Sequence, residues 1–214
     1  MVSLGKFKVG GYAYWRPSGT ALPTDSSTPL AAAFKLLGYL SEDGLTNTTD
    51  TDTTEIKDAN GTTVMKVITS YAESYQFALL EVLRVEAAKM RYNSDAVTGT
   101  DKSMTIKHQM PSDEDFVLVF EIAMTGDVKD RLVIGNATRA EFGDRQVHAG
   151  DAQVYDVTVS ANDMGNGVTA IEYIGVAASA SESSVNAEAL TGKVVDQVNA
   201  EETAEPGEET PAAE

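Results

Sequence analysis

The chain reads as mainly β: a β-sandwich or barrel with one short flanking α-helix. Three features point there. Short runs of alternating residues recur late in the chain, separated by Gly126-Asp127, Gly143-Asp144, Gly150-Asp151 and Gly165-Asn166-Gly167, the spacing of strands and tight turns. FVLVFEIAM, residues 116–124, is apolar on one face and half apolar on the other, so both faces meet protein. VLRVEAAKMRY has the composition of a short helix.

Near the start, FKVGGYAYW reads as a short strand broken by Gly10-Gly11. The turn-rich PSGTALPTDSSTP follows, and then a brief helix-like patch over 30–37. TNTTDTDTTE, residues 46–55, is polar and low in complexity and reads as a mobile loop. IKDANGTTVMKV is a hairpin turning at Asn60-Gly61, a pair suited to a two-residue turn with φ > 0. KVITSYAESYQFALLE alternates with period two, Tyr71, Tyr75, Phe77 and Leu79 against Ser70, Ser74 and Gln76. It predicts a strand to about Glu81 and a helix over about 84–92; a single helix over 72–92 is the competing reading. Asn93–Thr100 reads as a turn. SMTIKH, FVLVFEIAM, RLVI, ATRAEF, AQVYDVTVS and VTAIEYI are the remaining strands. In VYDVTVS one face is dry, and the other presents Asp156, Thr158 and Ser160.

Length and composition bound the possibilities. The 214 residues suit one domain with appendages, or two small ones. The division expected is a β domain over 1–177 and an acidic, low-complexity extension over 178–214. Residues 179–214 carry nine acids and one lysine, −8 of the total charge of −17. That balance argues against a protein that grips nucleic acid through phosphate neutralisation. The absence of cysteine excludes disulfides, zinc-thiolate sites and thiol catalysis. The first residues lack the apolar core of a signal peptide, and no run is long enough for a membrane span. The expectation is assembly in the cytoplasm, with no membrane partner.

Catalytic chemistry finds little support. His108 and His148 have no partner at triad or metal spacing, and no nucleophile elbow is present. Asp50, Asp52, Glu55 and Asp58, like Asp113-Glu114-Asp115, read as solvated acidic loops, because Gly61 is out of register for a calcium loop. Tyr12, Tyr14 and Trp15 read as core or interface aromatics, since no basic groove accompanies them. The expectation is a non-enzyme without cofactor or metal.

Three stretches resemble one family. PTDSSTPLAAAFKLLGYLSEDGLTN, SYAESYQFALLEVLRVEAAKMRYNSDAVTG and KDRLVIGNATRAEFGDRQVHAGDAQVYDVTVSAN are similar to the major tail protein, or tail tube protein, of long-tailed, non-contractile bacteriophages. They span roughly 20–165. The resemblance implies a tail-tube-like sandwich, six copies closing into a ring, and rings stacking into a tube that conducts DNA without binding it specifically. The inner wall would be a β-barrel shared by the six copies, with arms and loops bridging rings. It implies a virion location, and as further partners a tape measure protein and tail terminator or distal tail proteins. Residues 37–62 would then form an N-terminal arm and long polar loop. Leu37, Tyr39, Leu40, Glu42, Asp43, Leu45, Asp50, Asp52, Asn60 and Gly61 are candidates for inter-ring or inter-subunit contact, although Leu37, Tyr39, Leu40 and Leu45 would equally suit packing inside their own domain. Ser70, Ser74, Gln76, Asp156, Thr158 and Ser160 are candidates to face the lumen. The alternative is a β-sandwich binding module, an adhesin or capsid decoration protein.

Overall fold

The computed structural model describes residues 5–7, 13–19, 21–145, 147, 149–150 and 152–176. The expected acidic extension and His148 lie outside them. The elements are β1 Gly5–Phe7, β2 Ala13–Pro17, β3 Lys35–Gly38, β4 Leu40–Lys57, β5 Thr63–Leu79, α1 Val85–Tyr92, β6 Val97–Thr100, β7 Ser103–Ile106, β8 Phe116–Met124, β9 Val128–Phe142, β10 Tyr155–Ala161 and β11 Ile171–Val176.

One antiparallel sheet runs β3-β2-β8-β9-β10-β5-β4, with β1 beside the far end of β8 and β11 beside the first half of β9. β9 belongs to two leaves. Its first half pairs with β8 and β11, and its second half, from Ala137 to Phe142, pairs with β10. A strand that passes from one leaf to the other forms the corner of a sandwich. Phe77 on β5 meets Phe120 on β8 edge to face at 5.3 Å between ring centres, joining the leaves across the core. The end strands β3 and β4 are consecutive in the chain but share no ladder among the described residues, so the sheet curls without closing into a barrel.

The second apolar face of β8 has its own cover. Val117, Val119 and Val133 lie under Leu22, Leu30 and Phe34 of the segment between β2 and β3. Buried Arg131 pins that segment, donating to the carbonyls of Asp25 and Thr28 at 2.8 Å each and to Glu121 at 2.6 Å. The helix-like patch expected at 30–37 is instead a turn at 32–33 followed by β3. Its apolar residues serve two destinations: Phe34 packs on the outer face, while Leu37 enters the main core and β3 pairs with β2. That sheet context overrides helix propensity.

The larger correction concerns residues 46–55. They are not a mobile loop; they lie inside β4, an 18-residue strand paired with β5 from Leu40↔Leu79 to Lys57↔Thr63. Thr is β-branched and suits a pleated surface. With β5 satisfying its backbone, a Thr-rich strand needs no apolar content of its own. The turn also differs from a two-residue one. Asp58 N–H donates to the Thr62 carbonyl at 2.9 Å and Gly61 N–H to that of Asp58 at 3.0 Å. Only Gly61 has positive φ, 82°. This is a three-residue loop closed by a left-handed glycine.

The strand predicted to about Glu81 ends at Leu79, and the helix predicted over 84–92 is α1, which settles the choice against one long helix. RLVI and ATRAEF are one strand, β9. The turn expected at Asn93–Thr100 includes β6, paired with β7. α1 buries Ala87, Ala88 and Met90 against the core. Arg139 secures its last turn, donating to the carbonyls of Met90 and Lys89 at 2.6 and 3.0 Å. Trp15 Nε1 donates to Glu86 at 2.9 Å.

Phe120→Ala should cost roughly 3–5 kcal/mol, read as a lower urea midpoint with an unchanged slope. Phe120→Asp or Tyr155→Asp should abolish the cooperative transition, because each buries an unpaired charge.

Candidate functional site: a polar sheet face and its projecting ribbon

The second leaf is amphipathic, and its register assigns each side chain to a face. Thr158, Gln76 and Thr46 form one cross-strand row, and Ser160, Ser74 and Thr48 the next. The face continues along β4 and β5 through Asp50 opposite Ala72 and Asp52 opposite Ser70. All six candidate lumen residues, Ser70, Ser74, Gln76, Asp156, Thr158 and Ser160, therefore share it. Asp50 and Asp52, candidates for inter-subunit contact, join them. Gln76 Nε2 reaches the Asp156 carboxylate at 3.3 and 3.4 Å, and Ser70 Oγ donates to Asp52 at 2.9 Å. Glu141 adds a further acid opposite Thr158. No Lys or Arg occupies these rows. Behind them lie Leu45, Phe77 and Val157, and next to those Tyr75 and Val159.

The remaining candidates divide by burial. Leu37 and Leu40 are buried in their own core, and Leu45 packs against its edge. Tyr39, Glu42 and Asp43 are exposed, and Asn60 and Gly61 sit at the exposed tip. At the bend between β3 and β4, Gly38 has φ 110°, and a Cβ there would lie 2.7 Å from the Glu81 carboxyl carbon. Only glycine suits that corner.

Past Glu73 the leaf narrows. β10 ends at Ala161, opposite Glu73, and residues 63–72 of β5 pair with β4 alone. At ~3.3 Å per residue this two-stranded ribbon extends about 33 Å. Such a ribbon is marginal by itself. This one exposes Ile56, Val64, Met65, Val67, Ile68 and Tyr71, between 43% and 64% of each. The outer edge of β4 has no partner strand among the described residues.

Glu73 anchors the ribbon at its base. Its carboxylate accepts hydrogen bonds from Tyr75 OH at 2.7 Å, Asn47 Nδ2 at 2.6 Å and Thr169 Oγ1, tying β4 and β5 to the loop before β11. Burial pushes the Glu73 carboxyl up, but the bonds from Thr169, Tyr75, Asn47 and Tyr71 outweigh it and hold it below the usual range. Burial, followed by the bond to Glu73, pushes the Tyr75 hydroxyl up. In the sequence Glu73 is one residue of an alternating run. The available signal was an acid on the dry face, between Tyr71 and Tyr75.

Elsewhere acids are engaged in structural roles. Glu114 pairs with buried Arg139 at 3.2 Å. Asp58 accepts from the backbone of Asn60 and Thr62. Exposed His108 rests on the Tyr92 ring, with centres 5.0 Å apart. Among the described residues, no three His, Asp or Glu side chains gather as a metal site.

A depressed carboxyl contributes stability above its unfolded value and loses it as pH falls through the folded one. Glu73→Gln should therefore destabilise the chain at pH 7 by about 1 kcal/mol, given partial solvent exposure. The gap from the parent should close below about pH 4, followed by thermal unfolding across pH.

The chain resembles two solved assemblies at low similarity. To the sheath-tube complex of an extracellular contractile injection system (PVC, extended state) it is 12% identical with a TM-score of 0.38, covering 79% of this chain and 93% of that one. To the tube-terminating cap of the anti-feeding prophage it is 10% identical with a TM-score of 0.38, covering 79% and 92%. No curated protein matches the chain. A family model, phage tail tube protein, matches residues 9–185. With most of its length matched, and a mainly β fold with one short helix among the described residues, the chain belongs to the phage tail tube protein family.

Proposed function

We propose that the chain is a structural virion protein whose copies close into hexameric rings, and that the rings stack into the tail tube through which DNA is ejected. The observation that carries this is the amphipathic second leaf: a face of Ser, Thr, Gln, Asp and Glu without a base, continuing into a ribbon with an unpaired edge and exposed apolar side chains. As a lumen wall, the polar face would offer a duplex no cation to hold, so no counterion release rewards adhesion. The free edge of β4 would be completed by a strand of a neighbouring copy. A closing head-to-tail contact makes a ring, and a stacking one makes a filament. Barrel closure across copies removes the edges that would otherwise aggregate.

On this reading the subunit works by assembly and not by catalysis. Its partners are copies of itself, with a tape measure protein inside the tube and tail terminator and distal tail proteins at its ends. Assembly takes place in the host cytoplasm, and the product resides in the virion tail.

Negative-stain microscopy of the purified chain should show rings or tubes of uniform bore. Particles that stay dispersed at high concentration would favour a binding module instead. Replacing residues 53–69 with an Asn-Gly turn, which joins Asp52 to its partner Ser70, removes the ribbon tip and leaves the rows beside β10. This variant should unfold cooperatively, like the parent, and fail to form tubes.

A further inference from the structure

The chain contains two Asn-Gly pairs, Asn60-Gly61 and Asn166-Gly167. Such a pair has a chemistry of its own. Glycine has no side chain to shield its backbone nitrogen, so that nitrogen can close a five-membered ring on the preceding carboxamide. The other asparagines among the described residues, Asn47, Asn93, Asn136 and Asn162, each precede a residue with a side chain. Both Asn-Gly pairs are exposed and both lie in loops, the first between β4 and β5 and the second between β10 and β11. Sequence and exposure therefore do not separate them.

The acceptor of each glycine N–H does. Gly167 N–H donates to the Asp163 carboxylate at 3.0 Å, and the same oxygen, Oδ1, accepts from Gly165 N–H at 2.8 Å. Ring closure requires the glycine nitrogen to lose its proton. At Gly167 that would set a negative nitrogen against a negative oxygen at hydrogen-bond distance, which disfavours the deprotonated form. Gly61 N–H donates at 3.0 Å to the backbone carbonyl of Asp58, a neutral acceptor. The Asp58 carboxylate is engaged by the amides on either side, those of Asn60 and Thr62, both at 2.8 Å. Among the described residues the Asn60 carboxamide has no hydrogen-bond partner, so it is free to turn toward Gly61.

We propose that Asn60 is a site of spontaneous deamidation in the folded chain, and that Asp163 protects Asn166 from the same reaction. The deprotonated Gly61 nitrogen attacks Asn60 Cγ. A C–N bond forms there, and the carboxamide nitrogen leaves as ammonia, taking a proton from water. Water then opens the cyclic imide at either carbonyl, leaving aspartate or isoaspartate at position 60. In sum, a carboxamide and water become a carboxylate and ammonium, with no oxidant or reductant. The product sets a new negative charge beside Asp58. Its isoaspartate form also lengthens the backbone of the three-residue turn by one carbon. The inference goes beyond the assembly reading and does not depend on it.

The test is a peptide map of the chain after incubation in mildly alkaline buffers, read for exchange of –NH2 for –OH at each asparagine. Conversion at residue 60 should accelerate roughly tenfold per unit of pH, as the fraction of deprotonated amide does. Conversion at residue 166 should be about tenfold slower or more at each pH. In urea, where neither loop is held, the two should react at similar rates. Asp163→Asn keeps an acceptor for both glycine amides and removes the charge; it should bring residue 166 toward the rate of residue 60. Asn60→Gln, which would have to close a six-membered ring, should abolish product at 60 and leave 166 unchanged. Residue 60 intact in the folded chain while it reacts in urea, or residue 166 reacting as fast as residue 60, would overturn the proposal. So would a preference for residue 60 that persists unchanged in urea, since local sequence and not the fold would then set it. An Asp163→Asn chain with the parent's thermal transition and residue 166 still slow would remove the protective role of Asp163.

Discussion

The in-register ladder between β5 and β10 is the constraint on which the rest depends. From Tyr155↔Leu79 to Ala161↔Glu73 it has no shift. Because side chains alternate with period two, this pairing sends Phe77, Val157, Tyr75 and Val159 inward and Gln76, Thr158, Ser74 and Ser160 outward together. A slip of one residue would turn the dry face to water and place Gln and Ser against Phe120. Core packing and the polar wall are therefore two results of one register, and the core enforces it. The register shifts fall in other pairings: in β4–β5 at Leu40/Leu45, Asp52/Thr53 and Ile56/Lys57, in β2–β3 at Ala13/Tyr14, and where β9 meets β8 and β10.

What the subunit leaves unfinished follows a pattern. The body has its leaves joined, its helix secured by Arg139, and the outer face of β8 covered and pinned by Arg131. Among the described residues the unfinished surface lies at the periphery: a long unpaired strand edge and an apolar ribbon tip. Exposed edges and apolar patches ordinarily invite aggregation. A net charge of −17 opposes indiscriminate association between copies, since any contact must overcome mutual repulsion. Polar spacing along β4, with an acid or Thr at most positions, makes non-specific edge pairing poor.

Glu73 shows how the two halves of the design meet. It sits where a four-strand leaf becomes a two-strand ribbon, and its bonds reach both ribbon strands and the loop before β11. A ribbon of that length would sample many exit directions if it were joined by backbone alone. A partly desolvated carboxylate with several donors restricts them at the one place where a small angle becomes a large displacement at the tip.

The sequence alone determined the β class, the eight-residue helix to within a residue, the nine residues of β8, and the wet and dry faces of β10 and of β5 from Glu73 onward; Tyr71, expected on the dry face, is 55% exposed. These are set by local periodicity and propensity, which act within a few residues. The polar candidates Ser70 through Ser160 were legible for the same reason: alternation assigns a face without knowledge of the partner strand. The Thr/Asp stretch was not legible. Nothing in TNTTDTDTTE announces a strand until β5 lies beside it, because its stability comes from pairing with residues 66–76 and not from burial of its own side chains. Leu30 to Leu37 likewise looked helical, until two separate cores claimed Phe34 and Leu37. Glu73 and the shared strand β9 acquire their roles only in three dimensions. What tertiary structure alone decided is which polar groups find partners and which remain without one, since that depends on neighbours brought together from distant parts of the chain.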